Sequence, residues 1–313
     1  MTHGFVFPGQ GSQQVGMGQA LAETYAAARE VFEEVDDALG EPLSRLMFEG
    51  PEDKLVLTEN AQPALMAVSI ATARTLEVEG GFALSDKCAF VAGHSLGEYS
   101  ALTAAGSLDL ADTARLLRRR GQSMQQAVPV GEGAMAAMLG LDLEAAEALA
   151  AEAAGDGVCS TANDNAPGQV VLSGSKEAVV RAIAIAPDHG ARRCIELPVS
   201  APFHCALMAP VAEVMAEALA AVTMQPVSVP LIANVTADVV ADPADIRSLL
   251  VDQVTGMVRW RECVLTMKNE GVDSLVEVGG GKVLAGLTRR IDKELNAVSV
   301  GTPDTIEEFL KGL

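Results

Sequence analysis

The chain has 313 residues, 49% of them hydrophobic and 20% charged, which suits a folded protein with a sizeable core and not a disordered one. A formal net charge of -20 argues against non-specific binding to nucleic acid or to anionic membrane surfaces. The N-terminus lacks a basic stretch followed by a long apolar run, and every apolar segment is broken before it could span a bilayer, so the expectation is a cytoplasmic protein with no membrane partner. The five cysteines Cys88, Cys159, Cys194, Cys205 and Cys263 have no CxxC spacing and read as reduced thiols, with no metal site and no cofactor implied.

In chain order, the apolar run at residues 4–8 reads as a strand that enters the glycine turn at 9–12. Helical patterns follow at 19–39 and 59–79, the second with Pro63 near its start. A buried strand at 90–92 leads into GHSLGEYS and a helix at 96–105. Another helix spans 112–127 and carries Arg115, Arg118, Arg119 and Arg120, and residues 129–133 form a hinge-like break.

Beyond that break come a strand at 134–139, a helix at 142–154, strands at 158–162 and 170–174, a helix at 176–186 and a strand at 192–197. The order β-α-β-β-α-β is the ferredoxin-like pattern. It predicts an α+β subdomain at 131–198 inserted into an α/β core made of residues 1–130 and 199–313. The core resumes with a helix at 207–221, a strand at 229–234, a helix at 246–255, a strand at 274–278 and a helix from about 282.

GHSLG fits G-x-S-x-G between a strand and a helix, the nucleophile elbow of a hydrolase-like core. There a tight turn exposes the hydroxyl of Ser95 and aims backbone N–H groups at a developing oxyanion. A serine nucleophile needs a base, and of the four histidines His3 is terminal, His94 adjoins the serine and His189 lies in a turn of the insert. His204, on a proline-broken loop after the insert, remains. No acid stands out as a third member among Asp188, Glu196, Asp238, Asp242 and Asp245, so a Ser-His pair with the histidine oriented by a carbonyl is the economical reading. The arginines at 118–120 cannot all point inward, and the helix by itself does not say which one does.

FVFPGQGSQ, QPALMAV, GHSLGEYSAL, RRRGQSMQ, NAPGQVVLSG, VSAPFHCALM, VRW and EVGGGKVL follow one another in an order that closely resembles the bacterial malonyl-CoA:acyl carrier protein transacylases, over nearly the whole chain. The resemblance implies a malonyl ester on Ser95, His204 as base and Arg120 as ligand of the malonyl carboxylate. It also implies an oxyanion hole from the N–H groups of Gln10 and Leu96, with the main-chain carbonyl of Gln253 holding the histidine. Phe203 resembles a wall against α-methyl branches, and Asn163, in what reads as an asparagine-rich loop, a hydrogen-bonding neighbour of the site. Malonyl-CoA and holo acyl carrier protein are the implied partners, and a monomer is the implied state.

Arg118 and Arg119 are then surface residues or contacts to coenzyme A phosphates or the carrier. Because carriers of this kind are acidic, Arg192, Arg193, Lys282, Arg289 and Arg290 are candidates for a basic dock. Three features depart from the family pattern: Gly279-Gly280-Gly281 where Gly-Pro-Gly is common, Cys205 where serine is common, and the acidic Asp164. The competing functions are a polyketide acyltransferase with another carrier, a serine esterase or thioesterase, and a non-catalytic binding protein, which leaves Ser95, His204, Arg120 and Gln10 unexplained.

Overall fold

In the computed structural model the described residues are 1–129, 131–199 and 201–313. Val130, in the hinge-like break and at the expected domain boundary, and Ser200, in the loop before His204, lie outside them. The strands, in chain order, are β1 (His3–Phe7), β2 (Cys88–Gly93), β3 (Gly133–Leu139), β4 (Cys159–Ala166), β5 (Gln169–Ser175), β6 (Arg193–Glu196), β7 (Leu231–Ile232), β8 (Val239–Val240), β9 (Ser274–Val278) and β10 (Asn296–Val300).

They form two sheets. A six-stranded sheet has the order β10-β9-β1-β2-β7-β8, parallel throughout except for the antiparallel β7–β8 pair. Every residue of β9 is buried, including Ser274 and Glu277, whose carboxylate accepts from the Leu284 and Ala285 N–H groups. The long helix Thr58–Gly80 packs against this layer and is buried on almost all sides from Ala61 to Leu76, so its sequence carries little amphipathic signal. Among the described residues no helix is long and apolar enough to cross a membrane.

The second sheet has four strands in the order β4-β5-β3-β6, each antiparallel to its neighbours. Helices Leu143–Ala154 and Lys176–Ile185 cover it, with an apolar core of its own that includes Met138, Leu149, Leu172 and Val179.

Several sequence expectations give way. The helix at 19–39 is two helices, Gln19–Thr24 and Ala26–Leu39, because Tyr25 is extended at φ -119° and ψ 128°. The strand at 229–234 contracts to β7, since Asn234 bonds to the elbow instead of to a neighbouring strand. The helix at 207–221 opens with a 3-10 turn, Ala206–Met208, before the helix Ala209–Ala220. Residues 163–165 are not a loop: they continue β4, pairing with β5 on one edge while Asn163 bridges Val258 of the core on the other. Helices Leu43–Glu49, Trp260–Asn269 and Pro303–Gly312 and strand β10 carried no signal that was read from the sequence.

Candidate active site

Ser95 sits between the end of β2 and the helix Gly97–Ala104, at φ 54°, a left-handed conformation that costs a non-glycine residue energy. The flanking glycines are required by contact. A Cβ on Gly93 would lie 1.9 Å from the Gly97 carbonyl carbon, and one on Gly97 would lie 2.2 Å from the Phe7 oxygen. Asn234, just beyond β7, clamps the turn: its Oδ1 accepts from the Ser95 N–H at 2.8 Å and its Nδ2 donates to the Gly93 oxygen at 2.7 Å.

The loop after β6 returns to the elbow and brings His204, also left-handed at φ 58°, against the serine. Ser95 Oγ lies 2.7 Å from His204 Nε2, and His204 Nδ1 lies 2.8 Å from the Gln253 main-chain oxygen. A carbonyl only accepts, so Nδ1 carries the proton and Nε2 is free to take one from the serine. Burial pushes the imidazole down to about 3, helped by the charge of Arg120 and opposed by the bond to Gln253, so the histidine is neutral at physiological pH.

Arg120 is 2% exposed. Nη1 donates to Gln62 Oε1 at 2.8 Å; Nη2 donates to Gln253 Oε1 at 2.9 Å and to Ser95 Oγ at 3.3 Å. Its guanidinium stands 5.8 Å from the Tyr99 ring centroid. Gly121 makes this reach possible, since a Cβ there would lie 2.5 Å from the Glu59 Cα and 2.6 Å from the Thr58 oxygen, on the helix that carries Gln62. The neighbouring arginines turn away. Arg118 donates to the Glu59 oxygen at 2.9 Å and meets Asn60 and Glu41, and Arg119 pairs with exposed Glu217 at 3.7 Å.

These groups open onto a cavity of about 220 Å³ lined by Gln10, Leu96, Met124, Asn163, Phe203 and His204, among others. Among the described residues neither the Gln10 nor the Leu96 N–H meets an acceptor, whereas the Ser95 N–H is taken by Asn234. The Gln10 side chain is fixed by Thr58 Oγ1, which donates to Gln10 Oε1 at 2.9 Å. Asn163 lines the cavity, but it is Asn165 that grips the elbow, its Oδ1 2.8 Å from His94 Nε2. His94 leans on the Trp260 ring at 5.6 Å and burial holds its imidazole below the usual value. Asp164 is buried and paired with Arg261 at 2.7 Å.

Of the basic candidates for a dock, Arg192, Arg193 and Lys282 are exposed, and Lys282 lines a groove that shares Gly11 and Gln13 with the cavity. Arg289 donates to the Ala297 oxygen at 2.8 Å and Arg290 to Gln169 Oε1 at 2.5 Å.

Sequence reasoning missed three polar residues that tie the site together. Gln62 and Asn234 lie in apolar stretches far along the chain from the serine, and only the fold brings them to it. Glu98 did leave a trace, the lone charged side chain in the helix Gly97–Ala104. It is 1% exposed, and burial pushes its carboxyl up to about 7 against the pull of Gln253, Asn234 and Arg120. Among the described residues no group of His, Cys, Asp and Glu could hold a metal ion.

The acyl transferase domain family matches residues 4–302. The malonyl CoA-acyl carrier protein transacylase of Bacillus subtilis is 46% identical over 99% of this chain and 96% of its own. The crystal structure of an acyl-carrier-protein-S-malonyltransferase from Bartonella henselae superimposes with a TM-score of 0.97 at 56% identity, covering 100% of this chain and 99% of that one. A malonyl-transacylase solved in complex with its type II PKS acyl-carrier protein has a TM-score of 0.96 at 41% identity, with 100% of both chains covered. Similarity of this extent, on a domain match that runs through nearly the whole sequence, means that the chain belongs to the acyl transferase domain family, among its malonyl CoA-acyl carrier protein transacylases.

Proposed function

We propose that the protein moves a malonyl group from malonyl-CoA to the phosphopantetheine thiol of holo acyl carrier protein through an ester on Ser95. His204 Nε2 takes the serine proton as Oγ attacks the thioester carbonyl, and the N–H groups of Gln10 and Leu96 receive the charge that develops on oxygen. Collapse of the tetrahedral intermediate expels the coenzyme A thiolate, which takes the proton from His204. In the second half the histidine deprotonates the carrier thiol, which attacks the ester, and the proton returns to Ser95 Oγ. A backbone carbonyl in place of a carboxylate behind His204 suits this use, since it fixes the tautomer without adding a charge.

One observation carries the reading: a buried arginine whose Nη2 stands 3.3 Å from the nucleophile. An esterase for neutral acyl groups has no use for it, whereas a malonyl group offers a carboxylate to its planar fork. Gln62 presents a neutral acceptor to Nη1 of that fork, and this can cede to an anion. Phe203, on the cavity wall, then limits the space beside the α-carbon, where a methyl group is worth only about 1–3 kcal/mol of discrimination.

We read the fold in the same terms. The parallel sheet with its elbow is a hydrolase-like core, and residues 131–198, with strand order β4-β5-β3-β6, are a ferredoxin-like unit inserted into it. A second reading keeps the chemistry and changes the carrier, because one relative of full-length similarity is held by a polyketide carrier protein.

Intact-mass spectrometry tests both. Malonyl-CoA should add one malonyl group, and holo carrier protein should remove it faster than water does. Loss to water at the same rate overturns the transferase reading, and comparison of fatty-acid and polyketide carriers chooses the partner.

A further inference from the structure

Glu98 is a buried carboxylate for which the reaction as written has no use. Taking such a group out of water is costly unless it is well bonded, so its position calls for a reason. Capping its own helix is not that reason. The N–H groups of Gly97, Glu98 and Tyr99 already donate to the carbonyls of His94, Ser95 and Leu96. The carboxylate instead reaches across to other elements: Oε2 accepts from Gln253 Nε2 at 2.6 Å and from the Asn234 N–H at 3.4 Å.

Those two residues contact the serine, the histidine and the arginine. Asn234 takes the Ser95 N–H, and the Gln253 main chain takes His204. The Gln253 side chain donates to the Ser95 oxygen at 3.0 Å through Nε2 and accepts from Arg120 at 2.9 Å through Oε1. The amide could in principle flip. Arginine has only donors, whereas the ionised Glu98 carboxylate and the Ser95 carbonyl have only acceptors, so Arg120 on one side and those two groups on the other leave it a single orientation.

We propose that Glu98 is a positioning residue, whose carboxylate locks the Gln253 amide so that the fork of Arg120 and the Ser95–His204 pair stand in register with each other. The expectation for malonyl transfer rests on the function proposed above; the expectation for the serine-histidine pair does not.

The test measures kcat/KM for malonyl-CoA and acetyl-CoA, and the rate at which a fluorophosphonate labels Ser95, in the parent, Glu98→Gln, Glu98→Ala, Gln253→Ala and the double alanine variant. Glu98→Ala should lower malonyl transfer by about 10² and acetyl transfer by about 10, so that the preference for malonyl shrinks, and should slow labelling by about 10. Glu98→Gln keeps the shape and an acceptor but loses the charge, so it should reduce the preference in the same direction by a smaller factor. In the Gln253→Ala background Glu98→Ala should add no more than about threefold, the mark of two residues acting as one unit.

Equal losses for the two thioesters, or a full Glu98→Ala loss on top of Gln253→Ala, would reduce Glu98 to a structural part and overturn the proposal. Should Glu98→Ala not fold, an unchanged malonyl-to-acetyl ratio in Glu98→Gln overturns it alone. A parent that malonyl-CoA does not acylate sinks the transferase reading instead, and the labelling rates then judge Glu98 independently: slower labelling supports the proposal, and an unchanged rate overturns it.

Discussion

The amide of Ser95 is not available to substrate, because Asn234 Oδ1 accepts its hydrogen at 2.8 Å. The Ser95 N–H therefore serves to hold the turn, and in the proposed reaction oxyanion stabilisation falls to the N–H groups of Gln10 and Leu96. Asn234→Ala should free the Ser95 N–H and leave the Gly93 carbonyl without its partner, relaxing the strained φ of the serine. We expect kcat/KM to fall by about 10 to 10² with a loss of about 1–3 kcal/mol of stability, read from thioester kinetics and urea unfolding. A variant of parental activity would show that β2 and the following helix hold the elbow without the clamp.

Ser95→Ala should abolish the acyl-enzyme mass increment and leave the unfolding midpoint near the parent's, since the hydroxyl contributes little to packing. An adduct that persists in Ser95→Ala would move the nucleophile elsewhere. His204→Ala should slow both half-reactions, because one imidazole serves the serine and the incoming thiol. Asp238→Asn, Asp242→Asn and Asp245→Asn should each stay within a few-fold of the parent. Asp242 caps its own helix through the Ala244 and Asp245 N–H groups, well occupied without the histidine. A drop of about 10⁴ from any of the three, the scale of a lost triad acid, would contradict the carbonyl-oriented pair.

Arg120→Ala should lower kcat/KM for malonyl-CoA by about 10² to 10³ and leave acetyl-CoA nearly unchanged, since only malonate presents a carboxylate to strand. Arg120→Lys should recover part of the malonyl rate, as it keeps a charge and loses the fork. Parallel losses for the two thioesters would assign Arg120 to the fold or to the coenzyme A moiety. The same pair of assays covers Gln62→Ala, which removes one brace of the guanidinium and should erode the preference by less.

The buried groups make opposite demands on pH. Desolvation raises Glu98 from 4.5 to about 7, so between those values the folded protein holds a proton that the unfolded chain has released. Stability contributed at this position therefore falls as pH rises through that window. Arg120, Tyr99 and Cys263 are the charged or titratable side chains whose charge couples to it.

His204 behaves the other way. The unfolded histidine takes up a proton below 6.5, whereas the folded one resists until about 3, so stability is lost as pH falls through that range. Glu98→Gln should be more stable than the parent by about 1–3 kcal/mol at pH 8 and no more stable below pH 4.5. His204→Gln should show its advantage near pH 4 and not at pH 8. Chemical denaturation at those pH values checks both, and a Glu98→Gln gain that grows toward acid would refute the sign.

Ser95 was legible because glycines at 93 and 97 are demanded by contacts under 2.5 Å, and that demand is written as a local motif. His204 was legible by elimination among four histidines. The helix at 112–127 was legible too, but the direction of each of its arginines was not: it depends on which helix lies across Gly121.

The acid beside the site escaped because it acts through an intermediary. A search for a carboxylate that touches the histidine passes over Glu98, which touches Gln253. Asn163, Asp164 and Asn165 read as loop because asparagine and aspartate disfavour strands. Here Asp164 is paired with Arg261 and Asn165 is hydrogen-bonded to His94, so packing against the core outweighs propensity.

Gly121 acts as a spacer of zero thickness between two helices, one bearing the arginine and the other its glutamine brace. On the proposed function, selectivity for the acyl group can thus be detuned from a residue that does not line the cavity. A single methyl at residue 121 would shim the helices apart and withdraw the guanidinium from the nucleophile while Ser95, His204 and their supports stay in place. The outcome would be a permissive enzyme, one that acetyl-CoA acylates nearly as readily as malonyl-CoA, and a Gly121→Ala protein that keeps its full malonyl preference would show that the gap between the helices is not what sets it.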